Sequence, residues 1–139
     1  MTPAWVVRDI MTPNPAFVSD RVDLGEVLSV MQARNVQHLP VVREERVVGL
    51  ISERHLRDAL PSVHALKDPE QRRRSLRATR VQQVMIHRPT TIEADAPVLQ
   101  AITKMRAIRG GSLPVVEGKK LVGIITSGDL ISLLEKLLR

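Results

Sequence analysis

The sequence predicts an α+β fold built from two copies of one strand-and-helix unit, and two observations lead to this prediction. The first is an internal repeat: residues 39–42 and 113–116 both read Leu-Pro-Val-Val, while residues 48–51 and 122–125 read Val-Gly-Leu-Ile and Val-Gly-Ile-Ile. Both pairs are offset by 74 residues without an insertion. The second is length, because 139 residues form one shared core but not two large ones. Two copies of one supersecondary unit, each unable to cover its apolar face alone, explain both observations.

Each copy contains an amphipathic helix, indicated by apolar residues at positions i, i+3, i+4 and i+7. The apolar sets are Leu24, Val27, Leu28 and Met31 in the first copy and Val98, Ala101, Ile102 and Met105 in the second. Asp23, with Glu26 three residues later, can form a capping box at the start of the first helix. Pro97 suits the first turn of the second helix, where its missing N–H needs no partner. We therefore expect both helices to begin at these residues.

Two short β-branched runs follow each helix, and a polar turn joins the two runs of each pair, which predicts one hairpin per copy. The runs span residues 39–42, 47–51, 113–116 and 121–125. The regions around Val18 and Ile92 can add a third strand to each sheet, and a second helix follows from Glu53 and from about Gly128. The last helix carries leucines on one side. Its apolar face is therefore either core or a contact between subunits.

One glycine lies inside a strand pattern in each copy, at Gly49 and at Gly123. Glycine weakens a strand unless another group must approach its backbone closely. A β-bulge or a tight packing contact explains such a residue, and so does a ligand that approaches the strand. The sequence leaves these explanations open.

Composition excludes several classes of function. The chain has no cysteine, which excludes disulfides, thiolate nucleophiles and cysteine-based zinc sites. Trp5 and Phe17 are its only aromatic residues, too few to form the stacking platforms of single-strand nucleic-acid binders. No secretory signal pattern opens the chain and no apolar run approaches 18 residues. We therefore expect a cytoplasmic protein that is not a membrane protein.

The net charge of +6 is concentrated in one short segment. Residues 1–60 carry 7 basic and 8 acidic side chains, whereas residues 61–80 carry 6 basic and 2 acidic ones. The excess is formed mainly by Arg72, Arg73, Arg74, Arg77 and Arg80. Such a cluster is either a solvated helix face or a phosphate-binding surface, and we favour the solvated face. No helix-turn-helix or RNA-binding pattern accompanies it, so nucleic acid is not an expected partner and remains a lesser alternative.

Three segments, in this order and within a duplicated frame, resemble the CBS domain pair, a family named after cystathionine β-synthase. They are Asp-Ile-Met-Thr-Pro at 9–13, His-Leu-Pro-Val-Val at 38–42 and Gly-Ile-Ile-Thr-Ser-Gly-Asp at 123–129. The compact layout is similar to that of small stand-alone bacterial members of the acetoin-utilisation type. The resemblance implies a tandem pair of β-α-β-β-α units related by a pseudo-twofold axis, with the two sheets packed together and flanked by helices.

The resemblance also implies domain boundaries. We expect a first CBS domain at residues 7–60, a partly helical basic linker at residues 61–80, and a second CBS domain at residues 81–139.

In that family the clefts between the repeats bind adenosine-containing ligands, so the resemblance implies such a ligand here: AMP, ADP, ATP or S-adenosylmethionine. Thr126 closes a strand and opens a helix, where its hydroxyl and free N–H groups favour a phosphate. Asp129, one turn further, can accept hydrogen bonds from ribose hydroxyls. The other implied residues of this site are His87, Thr90, Thr91, Ile92, Ser112, Leu113 and Pro114, with His38 facing from across the pseudo-twofold axis.

A purely structural explanation competes with this assignment, because Thr126 and Asp129 also form an N-cap and its capping-box partner without any ligand. His38 is similarly open, since a lone histidine beside a strand is often only a surface or satisfied residue.

The first copy departs from the family pattern at the ribose position. His55 stands where the repeat offset places the counterpart of Asp129, beside Ser52, Leu39 and Pro40. A histidine can donate to an oxygen, or contact phosphate when protonated, but it cannot act as a carboxylate. We therefore expect two unequal sites, of which the second is the more competent.

The sequence thus predicts a regulatory module that senses an adenosine-containing ligand and passes a change of shape to an unidentified protein or to its own homodimer. The rival hypothesis is a structural dimerisation module with vestigial clefts. We expect no enzyme activity, prosthetic group or metal site, because His38, His55, His64 and His87 show no metal-ligand spacing and no catalytic motif is present.

Overall fold

A computed structural model describes residues 5–59 and 68–139 of the chain. In chain order the elements are α1 (Val7–Ile10), β1 (Thr12–Pro13), β2 (Val18–Ser19), α2 (Leu24–Arg34), β3 (His38–Arg43), β4 (Arg46–Ser52), α3 (Glu53–Ala59), α4 (Pro69–Ala78), a 3-10 turn (Val81–Gln83), β5 (Ile86–His87), β6 (Ile92–Glu93), α5 (Val98–Ile108), β7 (Ser112–Glu117), β8 (Lys120–Thr126) and α6 (Ser127–Leu137). Helices and strands are both present in each repeat, as the α+β prediction requires. His64 and residues 61–67 of the expected linker lie outside the described residues.

The chain divides into two compact units. The first unit contains residues 16–88, and the second joins the residues up to Pro15 to residues 89–139. The opening segment of each repeat therefore packs with the other repeat: β5 belongs to the first unit, whereas α1 and β1 belong to the second. We call these two opening segments, residues 5–15 and 81–88, the exchanged segments. These unit boundaries are not visible in the periodicity of the sequence.

The sheet of the first unit has the order β2-β3-β4-β5. Strand β2 runs parallel to β3 with Val18 opposite Val41, and β3 pairs antiparallel with β4 with His38 opposite Ser52. Strand β5 adds antiparallel to β4 and places His87 opposite Gly49.

The sheet of the second unit has the order β6-β7-β8-β1 and repeats this register with the offset of 74 residues. Ile92 lies opposite Val115, Ser112 opposite Thr126, and Thr12 opposite Ile124. Both predicted hairpins are present.

The helix ends follow the local chemistry of the sequence. The Oδ1 atom of Asp23 accepts a hydrogen bond from the backbone N–H of Glu26 at 3.0 Å and so caps α2. Pro97 occupies the N-cap position of α5 rather than its first turn. Helices α2 and α5 end at Asn35 and Arg109, both in the left-handed region with φ of 52° and 53°.

The two strand glycines make room for methionines. A Cβ atom at Gly49 would lie 2.3 Å from Sδ of Met85, and one at Gly123 would lie 2.4 Å from Sδ of Met11. Both methionines come from the segments that the repeats exchange. A register shift interrupts β3 and β7 opposite these glycines, so a bulge and a tight packing contact together account for them.

Each unit has its own aliphatic core. In the first unit the core lies between the sheet and α2, and the residues at its centre include Leu24, Val27, Leu39, Val41, Ile51 and Val81. In the second unit it includes Val7, Ile92, Ala101, Leu113, Val115 and Ile125. Residues from the exchanged segments, Val81 and Val7, are fully buried, which ties those segments to their units by hydrophobic burial. None of the described helices is long and apolar enough to cross a bilayer.

Candidate functional site

The end of β8, the start of α6 and the start of β7 form one corner of the second unit. Ser112 and Thr126 are cross-strand partners, and the backbone N–H of Ser127 donates to the carbonyl of Gly111 at 2.9 Å. Asp129 lies in the first turn of α6, which begins after Thr126. We call Ser112, Thr126 and Asp129 the second-unit corner.

Thr126 and Asp129 form the capping box that the sequence left as an alternative. The Oδ2 atom of Asp129 accepts hydrogen bonds from the backbone N–H of Thr126 at 2.8 Å and from its hydroxyl at 3.2 Å. The Oγ1 atom of Thr126 in turn accepts from the backbone N–H of Asp129 at 3.3 Å. The Oδ1 atom of Asp129 accepts no hydrogen bond from the described residues. One carboxylate oxygen therefore holds the helix start and the other stays available.

The remaining predicted residues of the second unit flank this corner. Thr90 and Thr91 are half-buried, and the carbonyl of Thr91 accepts a hydrogen bond from Nζ of Lys104 at 2.7 Å. The side chains of Ile92 and Leu113 are core residues, and Pro114 is also buried. A ligand at this corner would therefore meet their backbone and a rigid aliphatic wall.

The two predicted histidines of this site, His38 and His87, belong to the first unit. His38 begins β3, and His87 lies on β5 with Nε2 2.7 Å from the carbonyl oxygen of Gln82. The structure therefore brings eight of the ten predicted residues together in one unit and places these two in the other.

The first unit has a corner with the same backbone connections. His38 and Ser52 are cross-strand partners, Oγ of Ser52 accepts from the backbone N–H of His55 at 3.1 Å, and the backbone N–H of Glu53 donates to the carbonyl of Gln37 at 2.9 Å. Leu39 and Pro40 are buried behind it. We call His38, Ser52 and His55 the first-unit corner.

The imidazole of His38 in the first-unit corner disfavours a positive charge. Burial lowers the pKa of His38, and the nearby His55 lowers it further. A phosphate contact through a protonated His38 is therefore costly. The Nδ1 atom of His55 is buried and has no hydrogen-bond partner among the described residues.

Sequence reasoning missed the polar contacts that hold the exchanged segments. In the first unit the buried Asp20 accepts hydrogen bonds from Nε of Arg43 at 2.7 Å and from Nε2 of Gln82 at 3.2 Å. In the second unit, Nη2 of Arg8 donates to Glu117 at 2.6 Å and to Asp95 at 3.2 Å. The repeat alignment could have indicated these contacts. It aligns Arg43 with Glu117 and Gln82 with Arg8, which are positions where the charge of the side chain differs between the copies.

The arginines of α4 lie on a helix with no buried residue. Arg73 pairs with Glu70 at 2.6 Å, and Arg73 and Arg77 line a groove of about 560 Å³ that Asp23 and Glu26 line from α2. Because carboxylates share this groove, the arrangement fits a solvated helix face better than a phosphate-binding surface. Among the described residues, no three His, Cys, Asp or Glu side chains are placed to hold one metal ion.

Comparison with known proteins identifies the repeat. The CBS domain family model matches residues 7–62 and 81–136. A CBS domain-containing protein of Dictyostelium discoideum is 33% identical over 135 residues, which cover 96% of this chain and 93% of that protein.

Two crystal structures share the fold over nearly the whole chain. A putative acetoin utilization protein (AcuB) from Vibrio cholerae is 27% identical, with a TM-score of 0.81 over 99% of this chain and 96% of that one. The CBS domain pair of protein MJ0100, in complex with 5′-methylthioadenosine and S-adenosyl-L-methionine, is 26% identical, with a TM-score of 0.78 over 96% of this chain and 98% of that one. The chain belongs to the CBS domain family and contains a tandem pair of CBS domains.

Proposed function

We propose that this protein is a regulatory module that binds an adenosine-containing ligand at the second-unit corner. The observation that carries the proposal is the Oδ1 atom of the half-buried Asp129, which accepts no hydrogen bond from the described residues while Oδ2 binds Thr126. The complex of the similar MJ0100 domain pair with two adenosyl ligands supports the ligand class.

The chemistry of the corner suits a nucleoside. Asp129 can accept hydrogen bonds from a ribose diol through Oδ1 while Oδ2 keeps the helix capped. Residues 90–92 and 112–114 flank the corner, and the buried Ile92 and Leu113 offer an aliphatic wall on which an adenine ring can pack. Helix α6 is 11 residues long, and its first N–H groups favour an anionic group such as phosphate. AMP, ADP, ATP and S-adenosylmethionine all present the adenosyl group.

The first-unit corner serves this ligand less well. His55 offers no carboxylate to a ribose, and its buried Nδ1 atom has no hydrogen-bond partner among the described residues. We therefore propose one competent adenosyl site per chain.

A homodimer is part of the proposal. Helix α6 exposes a run of apolar side chains, formed by Ile131, Leu134 and Leu137, and the exposed Leu138 follows directly after it. Exposed apolar surface of this kind marks association sites, and a second copy of the chain supplies a matching face. Ligand binding regulates such a dimer or an attached partner protein only if it differs in affinity for two conformations.

Titration calorimetry and thermal unfolding with AMP, ADP, ATP, S-adenosylmethionine and cyclic di-AMP test the proposal. We expect at least one ligand to raise the melting temperature and to bind at one site per chain. Asp129→Asn should weaken binding at least tenfold, because an amide oxygen accepts ribose hydrogen bonds less strongly than a carboxylate does. Asp95→Asn, which changes an exposed carboxylate of the same unit, serves as the matched control.

Three outcomes separate the alternatives. If no adenosyl ligand raises the melting temperature, ligand sensing is wrong and a dimer seen by light scattering would favour the structural dimerisation module. Equal binding by wild type and Asp129→Asn would remove the site from the second-unit corner. A monomer at all concentrations would contradict the homodimer alone.

A further inference from the structure

A second pocket lies in the first unit, at the hairpin end of its sheet and away from the first-unit corner. It has a volume of about 270 Å³, comparable to about nine water molecules at ~30 Å³ each. Its lining includes three basic side chains, Arg43, His87 and Arg88, and three apolar ones, Val47, Val48 and Met85. The described residues that line it include no carboxylate.

The basic side chains are only partly satisfied within the protein. The guanidinium of Arg43 binds Asp20 through Nε and Nη2, and its Nη1 atom pairs with none of the described residues. The side chain of Arg88 makes no hydrogen bond or ion pair within the same part of the chain. His87 donates from Nε2 to the carbonyl of Gln82, and its Nδ1 atom has no partner in residues 5–59 and 68–139. Glu44 and Glu45, in the adjoining turn, are exposed and do not line the pocket.

The second copy provides an internal comparison for this pocket. The repeat offset aligns the apolar lining residues with residues that are apolar too, at Leu121, Val122 and Met11. The basic residues do not persist, because Arg43, His87 and Arg88 align with Glu117, Pro13 and Asn14. The fold of a unit therefore needs the apolar wall but not the basic groups. The first unit nevertheless has three basic side chains around this cavity.

We propose that this pocket binds a phosphate dianion, either as inorganic phosphate or as the phosphoryl group of a small phosphorylated metabolite. Arg88 and Nη1 of Arg43 supply charge-assisted hydrogen bonds, and guanidinium groups match the geometry of phosphate oxygens. The wall of Val47, Val48 and Met85 excludes water on one side and can contact an organic substituent. The site would differ from the adenosyl site in residues and in ligand chemistry.

The test uses inorganic phosphate and phenyl phosphate as ligands, with calorimetry and ³¹P NMR on the full chain. We expect saturable binding that weakens at high salt, and Arg88→Asn should raise Kd at least tenfold. Asparagine tolerates the left-handed backbone that Arg88 adopts with φ of 49°, so this variant should fold. Arg109→Asn is the matched control, because Arg109 has φ of 53° in the second unit, far from the pocket in sequence, and its loss should leave phosphate binding unchanged.

The same experiment distinguishes the two sources of phosphate. Tighter binding of phenyl phosphate would support an organic ligand on the apolar wall, and equal binding would support inorganic phosphate. Absence of saturable binding for both ligands, or an equal loss in Arg88→Asn and Arg109→Asn, would overturn the proposal. Failure here is separable from failure of the adenosyl site, because 5′-methylthioadenosine lacks phosphate and should bind Arg88→Asn as it binds wild type.

Discussion

The two corners show what a repeat preserves and what it leaves free. Both have a cross-strand pair at the same register and a hydroxyl that caps the following helix. In both, the first N–H of that helix donates to the carbonyl of the residue just before β3 or β7. Their side chains differ, since His38 and His55 in the first unit stand where Ser112 and Asp129 stand in the second. The backbone frame is therefore a scaffold, and two substitutions per copy decide whether the corner carries a carboxylate or a pair of imidazoles.

The largest loss of stability is expected from substitutions that disturb the glycine–methionine contacts present in both units. Gly123→Ala should lower the free energy of unfolding by about 2–4 kcal/mol, and Gly49→Ala by about 1–3 kcal/mol, because both overpack a core. The difference arises because a Cβ at Gly123 would also lie 3.0 Å from the carbonyl oxygen of Thr12, whereas the close atoms at Gly49 belong to the flexible Met85 side chain. Urea unfolding measures both values.

A Met85→Ala change in the Gly49→Ala background is the control for this prediction. It should recover part of the loss, since it removes the clashing atoms. A Gly123→Ala protein as stable as wild type would contradict the packing explanation.

The polar contacts of the exchanged segments should come next. Asp20→Ala should destabilise the protein by about 1–3 kcal/mol, because it removes the buried carboxylate that pairs with Arg43 and accepts from Gln82, and opens a small cavity. Asp95→Ala in the other unit should change stability by less than about 0.5 kcal/mol, because the Asp95 side chain is 84% exposed and that of Asp20 only 4%. Thermal unfolding of the two variants compares them, and similar effects would show that burial does not distinguish the two contacts.

Converting the first-unit corner into the second-unit type should have a smaller effect on stability but should raise the number of adenosyl ligands bound per chain. His55→Asp places a carboxylate three residues after Ser52, which permits the capping box seen at Thr126 and should add about 0.5–1 kcal/mol. It also removes the unpartnered Nδ1 atom. Calorimetry with the best adenosyl ligand should show stoichiometry rising from one toward two per chain. An unchanged stoichiometry would show that the first-unit corner lacks more than a carboxylate.

The smallest expected effect is the pH dependence of the first-unit corner. Because the pKa of His38 is lowered in the folded protein, its neutral form contributes stability above the ordinary histidine pKa near 6.5, and this contribution is lost as pH falls below that value. We expect less than about 1 kcal/mol, since His38 is only half-buried and its charge is partly screened. Unfolding at pH 7.5 and 5.5 should show a smaller difference in His38→Ser, which carries the residue of the second-unit corner. A larger acid sensitivity in that variant would reverse the sign argued here.

Much of the fold was predictable from local signals. The 74-residue offset, the helical spacing from Leu24 to Met31 and the hairpins each depend on residues close in sequence, and the structure contains all of them. The family followed from the motifs at 9–13, 38–42 and 123–129, and the match of the CBS domain family confirms it. The difference between His55 and Asp129 was also readable, because it needs only the repeat alignment.

The candidate site was predictable only in part. Thr126 and Asp129 were identified from the sequence, but whether the carboxylate caps the helix or faces a ligand depends on distances, and the structure assigns one oxygen to the cap. His87 was placed with the adenosyl site by position in the chain, while its neighbours in the structure are Gln82 and the lining of a different pocket. Asp20 gave no periodic signal, since its ion pair depends on a partner 23 residues away.

By itself the sequence determined the repeat, the hairpins and main helices, the family and the chemical difference between the two corners. These depend on residue identity and short-range spacing, both of which can be read directly from the amino-acid sequence. Only the tertiary structure decided that Val81 and Met85 pack in the first unit while Val7 and Met11 pack in the second. The two copies offer nearly equivalent apolar surfaces to the exchanged segments. Which unit each segment joins therefore depends on the arrangement that buries these side chains and also pairs Asp20 with Arg43 and Arg8 with Glu117.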